Sequence, residues 1–248
     1  KMEDYDGLGY PPDSVIEYLM TLLNSNYEEW HAQNPDQPYT AFPFSVKKMS
    51  TSGCLFDFDK LNDVSKNVIA RMPAERVCGD LIRWAEENDP DFASCLKRSP
   101  DMTKAIFSIG RGGKKPRKDF ANWREAKVFS QFFFPEYYQI EDEITGREGS
   151  EIAGVLRAFL EGYDPEDDAG VWFEKVKQTA ERFGYCPNMK EYKEHPELWK
   201  GSVGDVSEFI RVALTGRKNS PDLYAVMHIL GREESERRIL DYIKEKTS

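Results

Sequence analysis

Apolar residues recur along this chain at three- and four-residue intervals almost from end to end. That spacing lines one face of an α-helix. Over 14–23, Val15, Tyr18, Leu19, Leu22 and Leu23 fall on one predicted stripe, behind the helix entry offered by Pro11-Pro12. Ser14 and Glu17 have capping-box spacing. Leu61, Val64, Val68 and Ile69 predict a helix over 59–70. Pro73 interrupts, and Val77, Leu81, Ile82 and Trp84 predict another over 74–87. Ser99-Pro100-Asp101 opens a helix through 109. Residues 120–134 read as helix closed by Pro135, and 152–160 are apolar on one side. Asp164-Pro165 predicts the start of a long helix reaching Phe183, which Gly184 ends. A helix over 203–214 closes at Thr215-Gly216, Ser220-Pro221 opens the next, Gly231 closes that one, and 233–246 finishes the chain. Only 54–58 alternates as a strand would, and it is short. The expected fold class is all-α: helical bundle subdomains joined by short loops, with breaks near Pro73 and Gly146 to Gly149.

Length and composition narrow the classes. The chain has 248 residues, room for one large domain or two modest ones. Lys plus Arg is 34 and Asp plus Glu is 44, a net charge of −10. This excludes a uniformly basic nucleic-acid coat but not a local basic face. No apolar run approaches the roughly 18 residues of a membrane span. The opening residues show no secretory signal, so a cytoplasmic location is expected. Cys54, Cys78, Cys95 and Cys186 form no CxxC pair, and His31, His195 and His228 lie at no metal-ligand spacing, so no metal site is expected. Phosphate-loop, dinucleotide and nucleophile-elbow motifs are absent.

Charge is unevenly spread. Residues 104–127 hold eight bases and two acids, +6, whereas 136–181 hold thirteen acids and four bases, −9. The basic stretch includes Arg111, Gly112, Gly113, Lys114, Lys115, Arg117 and Lys118, a footprint suited to phosphates. Trp123 lies nearby and could stack on a base. A solvated loop that balances the acidic segment fits the same residues. A second constellation runs from Arg211 through Gly216, Arg217, Lys218 and Ser220 to Leu223, where one helix ends and another starts. A helix start offers free N–H groups and a positive dipole end, and an arginine can donate twice to a base edge. An ordinary corner between two helices fits this pattern too.

Here the sequence resembles a known family. Arg211-Val212-Ala213-Leu214-Thr215-Gly216-Arg217, then Ser220-Pro221-Asp222-Leu223-Tyr224, then Ile229-Leu230-Gly231, are similar to the end of bacterial-type glutamyl-tRNA synthetases. Gly201 to Asp205 also resembles that family. So do Lys48-Met49-Ser50-Thr51-Ser52-Gly53 with Leu55-Phe56-Asp57, and Gly9-Tyr10 with the helix after it. Lys48 to Ser52 imitates the Lys-Met-Ser-Lys-Ser signature of class I synthetases. Thr51 replaces the ATP-assisting lysine, and no Rossmann pattern precedes it, so the stretch reads as structural.

The resemblance implies a helical stem-contact region over 1–72. It implies an anticodon-binding domain over 73–248, in parts of about 73–148 and 149–248. It implies that Arg211, Ser220, Pro221 and Leu223 read the anticodon, with leucine packed on a splayed base. Arg111, Lys114, Lys115, Arg117, Lys118, Arg217 and Lys218 are candidates for the tRNA backbone. The parent enzyme would ligate glutamate to its tRNA with ATP and Mg²⁺. This part would hold no catalytic residue or cofactor and would be inactive alone. The expected partner is glutamate-accepting tRNA, with no DNA, no membrane and a monomeric state. A stand-alone tRNA-binding module and a helical interaction scaffold remain alternatives.

Overall fold

A computed structural model describes residues 7–24, 26–49 and 55–247. Ser50 to Ser52 of the signature-like stretch, and Cys54 of the alternating one, lie outside the described residues. The fold is all-α as the periodicity predicts. Among the described residues no strand forms, only isolated bridges such as Cys186 to Ser202. The chain divides into two compact units, 1–129 and 130–248.

In the first unit α1 (Pro12–Leu23) packs on α3 (Phe58–Arg71), and α4 (Ala74–Asn88) packs on α5 (Pro90–Arg98) and α6 (Pro100–Ser108). The short α2 (Tyr27–Gln33) lies between α1 and α3 in sequence. Asp57 caps α3 by accepting from Lys60 N, and Asp89 caps α5 by accepting from Phe92 N. The expected stripe on α1 is turned. Tyr18 is buried, but Val15, Leu19 and Leu23 are exposed, and the inward face is Ser14, Glu17 and Tyr18. Buried partners explain this. Ser14 Oγ meets Ser65 Oγ at 2.8 Å, and Glu17 accepts from Arg71 at 3.2 and 3.3 Å. The Ser14–Glu17 capping box therefore does not form.

Residues 120–134 form less helix than expected. Asn122 Oδ1 accepts from Glu125 N at 2.9 Å and starts α7 (Trp123–Ser130), which gives way to a 3₁₀ turn at Gln131–Phe133. Helices α2 and α5 carry too short an apolar period to be seen in the sequence.

The second unit is built from α8 (Gly149–Gly162), α9 (Ala169–Arg182), the short α10 (Met189–Glu194), α11 (Val203–Thr215) and α12 (Leu223–Thr247). Helices α8, α9, α11 and α12 enclose one core of Leu156, Phe159, Val176, Phe209, Ile210, Met227 and Ile239. Helix α9 starts later than Asp164-Pro165 predicts. Asp164 Oδ1 accepts from Glu166 N in a local turn, and Asp168 caps the helix by accepting from Val171 N. Gly184 ends it at φ +80°, as expected. At Gly231 α12 breaks, with φ 77° and ψ 172°, so the last helical residues form the two segments expected from the sequence.

Candidate nucleic-acid interface

The second constellation folds into one corner of the second unit. A reciprocal cap starts α11: Ser202 Oγ accepts from Gly204 N, and the Asp205 carboxylate accepts from Ser202 N. Its end is fixed by Gly216, whose N–H bonds the Val212 carbonyl at 2.8 Å in a left-handed conformation, φ 76°. Helix α12 starts at Leu223 rather than at Ser220-Pro221, because Asp222 Oδ1 takes the Ala225 N–H at 2.9 Å. That frees Ser220 from capping. Its hydroxyl accepts from Arg211 Nε at 3.1 Å and donates to the Pro221 carbonyl at 2.8 Å.

Arg211 is half-buried, and burial pushes its pKa down while Glu208 and Asp222 oppose this. Among the described residues only Nε has a hydrogen-bond partner. The two terminal nitrogens have none among the described residues. A fixed, partly dehydrated guanidinium with two open donors can bind a planar pair of acceptors. Leu223, expected to lie against a base, is instead 6% exposed and part of the core, so it anchors the helix start. Pro221 is buried beside it.

Arg217 and Lys218, expected to face phosphates, are held by the protein. Arg217 donates through Nε and Nη2 to both oxygens of Glu141, each at 2.9 Å, and lies over the Phe132 ring. Lys218 N donates to Asp142 at 2.7 Å, and its Nζ is 3.9 Å from Glu208. The acidic stretch thus has a structural use.

The basic loop lies in the first unit. Arg117 N donates to Gly110 O at 3.0 Å, closing the loop, and Gly110 and Gly112 take positive φ. Arg111 turns inward. Its Nε bonds the Phe107 carbonyl at 2.7 Å, and its Nη1 bonds the Met72 carbonyl at 2.9 Å and also that of Ile69. These Ile69 and Met72 acceptors lie at the end of α3, where the Ile69 carbonyl also takes the Met72 N–H at 3.1 Å. Arg117 is chelated by Asp119 at 2.7 and 2.9 Å. Trp123 is 5% exposed and packed, so it does not offer a stacking face. Lys114, Lys115 and Lys118 remain exposed, without an ion-pair or hydrogen-bond partner among the described residues.

The sequence reading missed Arg238. It is fully buried, donates to the carbonyls of Phe132 (2.8 Å) and Leu214 (2.7 Å), and pairs with Glu234 at 2.6 Å. In the sequence it sits among charged residues and reads as part of a solvated face. Among the described residues no group of three or more His, Cys, Asp or Glu is placed to hold a metal ion. None of the described helices is long and apolar enough to cross a membrane.

Comparison with known proteins sets this geometry in a family context. Residues 122–243 match the family described as "Anticodon binding domain". The chain is 47% identical over 239 residues to a glutamate–tRNA ligase of Acetivibrio thermocellus, covering 96% of this chain and 44% of that protein. It is 42% identical to one of Clostridium perfringens (95% and 44%) and 40% identical to one of Sorangium cellulosum (96% and 42%). The chain therefore spans less than half the length of these curated relatives. A solved glutamate tRNA ligase from Elizabethkingia meningosepticum shares the fold at a TM-score of 0.63 and 18% identity, over 95% of this chain and 41% of that one.

Proposed function

We propose that this chain is the tRNA-holding, anticodon-reading part of a glutamate–tRNA ligase. The observation that carries the reading is Arg211, oriented by Ser220 with two donors open, inside a stretch that matches an anticodon-binding family. Single-stranded RNA is read by splaying bases onto such groups. Arg211 and Ser220 contact anticodon bases, and Pro221 and Leu223 fix the helix start that presents them. Lys114, Lys115 and Lys118 contact the tRNA backbone, while Arg111, Arg117 and Arg217 serve the fold. Residues 1–72 act as the stem-contact region and 73–248 as the anticodon-binding region, in parts meeting near 148.

The whole ligase would join glutamate to its tRNA in the cytoplasm using ATP and Mg²⁺. The chain described here contributes binding and specificity as a monomer, and by itself does not aminoacylate. The test is binding of the 248-residue chain to glutamate tRNA and to the same tRNA with a substituted anticodon. Weaker binding of the substituted form is expected, and equal affinity would overturn the reading.

A further inference from the structure

The segment just before α8 grips the end of α11 and the loop after it at several points. Tyr138 Oη donates to the Ala213 carbonyl at 2.7 Å. Gly216 O accepts from Glu141 N at 2.8 Å and Asp142 N at 2.9 Å. Glu141 chelates Arg217, and Asp142 Oδ2 takes the Lys218 N–H. The Gln139 carbonyl fills the space a Cβ on Gly216 would need, 1.8 Å away. These partners are about 75 residues apart in sequence, 75 for Tyr138 with Ala213 and 76 for Glu141 with Arg217.

We propose that residues 138–142 form a positioning strap for the Arg211–Ser220 corner, with Glu141 and Asp142 as its positioning residues; this rests on the reading of that corner as the anticodon contact. First, Arg211 and Ser220 meet only if the chain from Gly216 to Asn219 follows one path. Within that stretch the side chain of Thr215 holds Arg217 N, and the strap holds Gly216 O and Lys218 N. A loop ordered before binding loses less freedom on binding. Second, Glu141 occupies the guanidinium of Arg217, leaving Arg211 as the corner's open guanidinium. Uncommitted cations beside a reading residue attract phosphates of any RNA, which adds affinity but no sequence information.

The experiment measures the affinity of wild type, Asp142→Ala, Asp142→Asn and Glu141→Gln for glutamate tRNA and its anticodon-substituted form across a salt series. Asp142→Ala is expected to lower the affinity ratio between the two tRNAs by at least about fivefold, the lower end of one base contact's discrimination. Asp142→Asn retains an acceptor for Lys218 N and should keep the ratio. Glu141→Gln should bind both tRNAs with a log–log salt slope steeper by about one, because the neutral amide no longer offsets the charge of Arg217, which is then available to a phosphate. If wild type discriminates and Asp142→Ala discriminates equally, the strap is not a positioning device and the proposal falls. If Asp142→Ala fails to fold, an unchanged salt slope in Glu141→Gln overturns the proposal instead. If wild type itself does not discriminate, the anticodon reading falls and the strap's role falls with it.

Discussion

The guanidinium of Arg238 lies over the ring of Tyr138, its central carbon 4.1 Å from the ring centre, with the arginine itself fully buried. Burial pushes Tyr138 up to about 12, which favours the neutral phenol, and it pulls Arg238 down, an effect that the Glu234 carboxylate opposes. Cation–π stacking, the Glu234 ion pair and two carbonyl hydrogen bonds together make the burial of this charge tolerable. The pair ties the strap to the end of α11, since Tyr138 also bonds Ala213 and Arg238 bonds Leu214.

Replacing Arg238 by Met keeps the volume but leaves the Phe132 and Leu214 carbonyls without this donor. The expected cost is about 3–5 kcal/mol, the range for breaking a buried ionic network by removing one partner. Urea unfolding followed by circular dichroism measures it. A loss under about 1 kcal/mol would mean that water replaces the side chain.

Gly216 has φ +76°, and a Cβ there would sit 1.8 Å from the Gln139 carbonyl oxygen. Gly216→Ala should destabilise the protein by at least about 1–3 kcal/mol through backbone strain alone. The backbone clash adds to that. Gly162, whose added Cβ meets nothing within 4 Å, is the matched control and should tolerate alanine.

The side-chain hydrogen bonds of Arg237 and then Arg238 hold the Glu234 carboxyl below its ordinary value of 4.5, against partial burial. A carboxyl depressed in the folded state adds stability above its unfolded pKa and loses it as pH falls through the folded value. Acid unfolding should therefore steepen below about pH 4.5. In Glu234→Gln the difference between stability at pH 7 and at pH 3.5 should shrink; an unchanged difference would assign the acid sensitivity to other carboxylates.

Lys114, Lys115 and Lys118 should act on RNA and not on the fold. Changing all three to Ala should leave the melting temperature unaltered and flatten the log–log salt dependence of tRNA binding by up to about three. Arg111→Ala should do the reverse, costing stability because three hydrogen bonds, to the carbonyls of Ile69, Met72 and Phe107, are lost. If the triple variant binds tRNA with the wild-type salt slope, the basic loop does not touch the backbone.

Local signals in the sequence were enough for most helices. The 59–70 and 74–87 periods became Phe58–Arg71 and Ala74–Asn88, and Gly184, Gly216 and Gly231 each interrupt a helix where expected. Capping was harder to read. Ser14, Asp164 and Ser220 each have the chemistry of a helix start, yet Ser14 faces Ser65, Asp164 closes a turn and Ser220 holds Arg211. A hydroxyl or carboxylate with two available partners is assigned by whichever comes within reach, and that depends on residues distant in sequence.

The sequence by itself determined the all-α class, the place of the corner at 211–223 and its likeness to tRNA ligases, because periodicity, glycine stops and a contiguous motif are properties of neighbouring residues. Only the tertiary structure decided which positive charges remain open. Arg111, Arg117 and Arg217 look like phosphate contacts in the sequence, yet carbonyls, Asp119 and Glu141 take them, while Arg211 and the three lysines keep donors without a partner among the described residues. Charge is written in the composition, but availability depends on which acceptors folding brings within about 3 Å, the reach of a hydrogen bond.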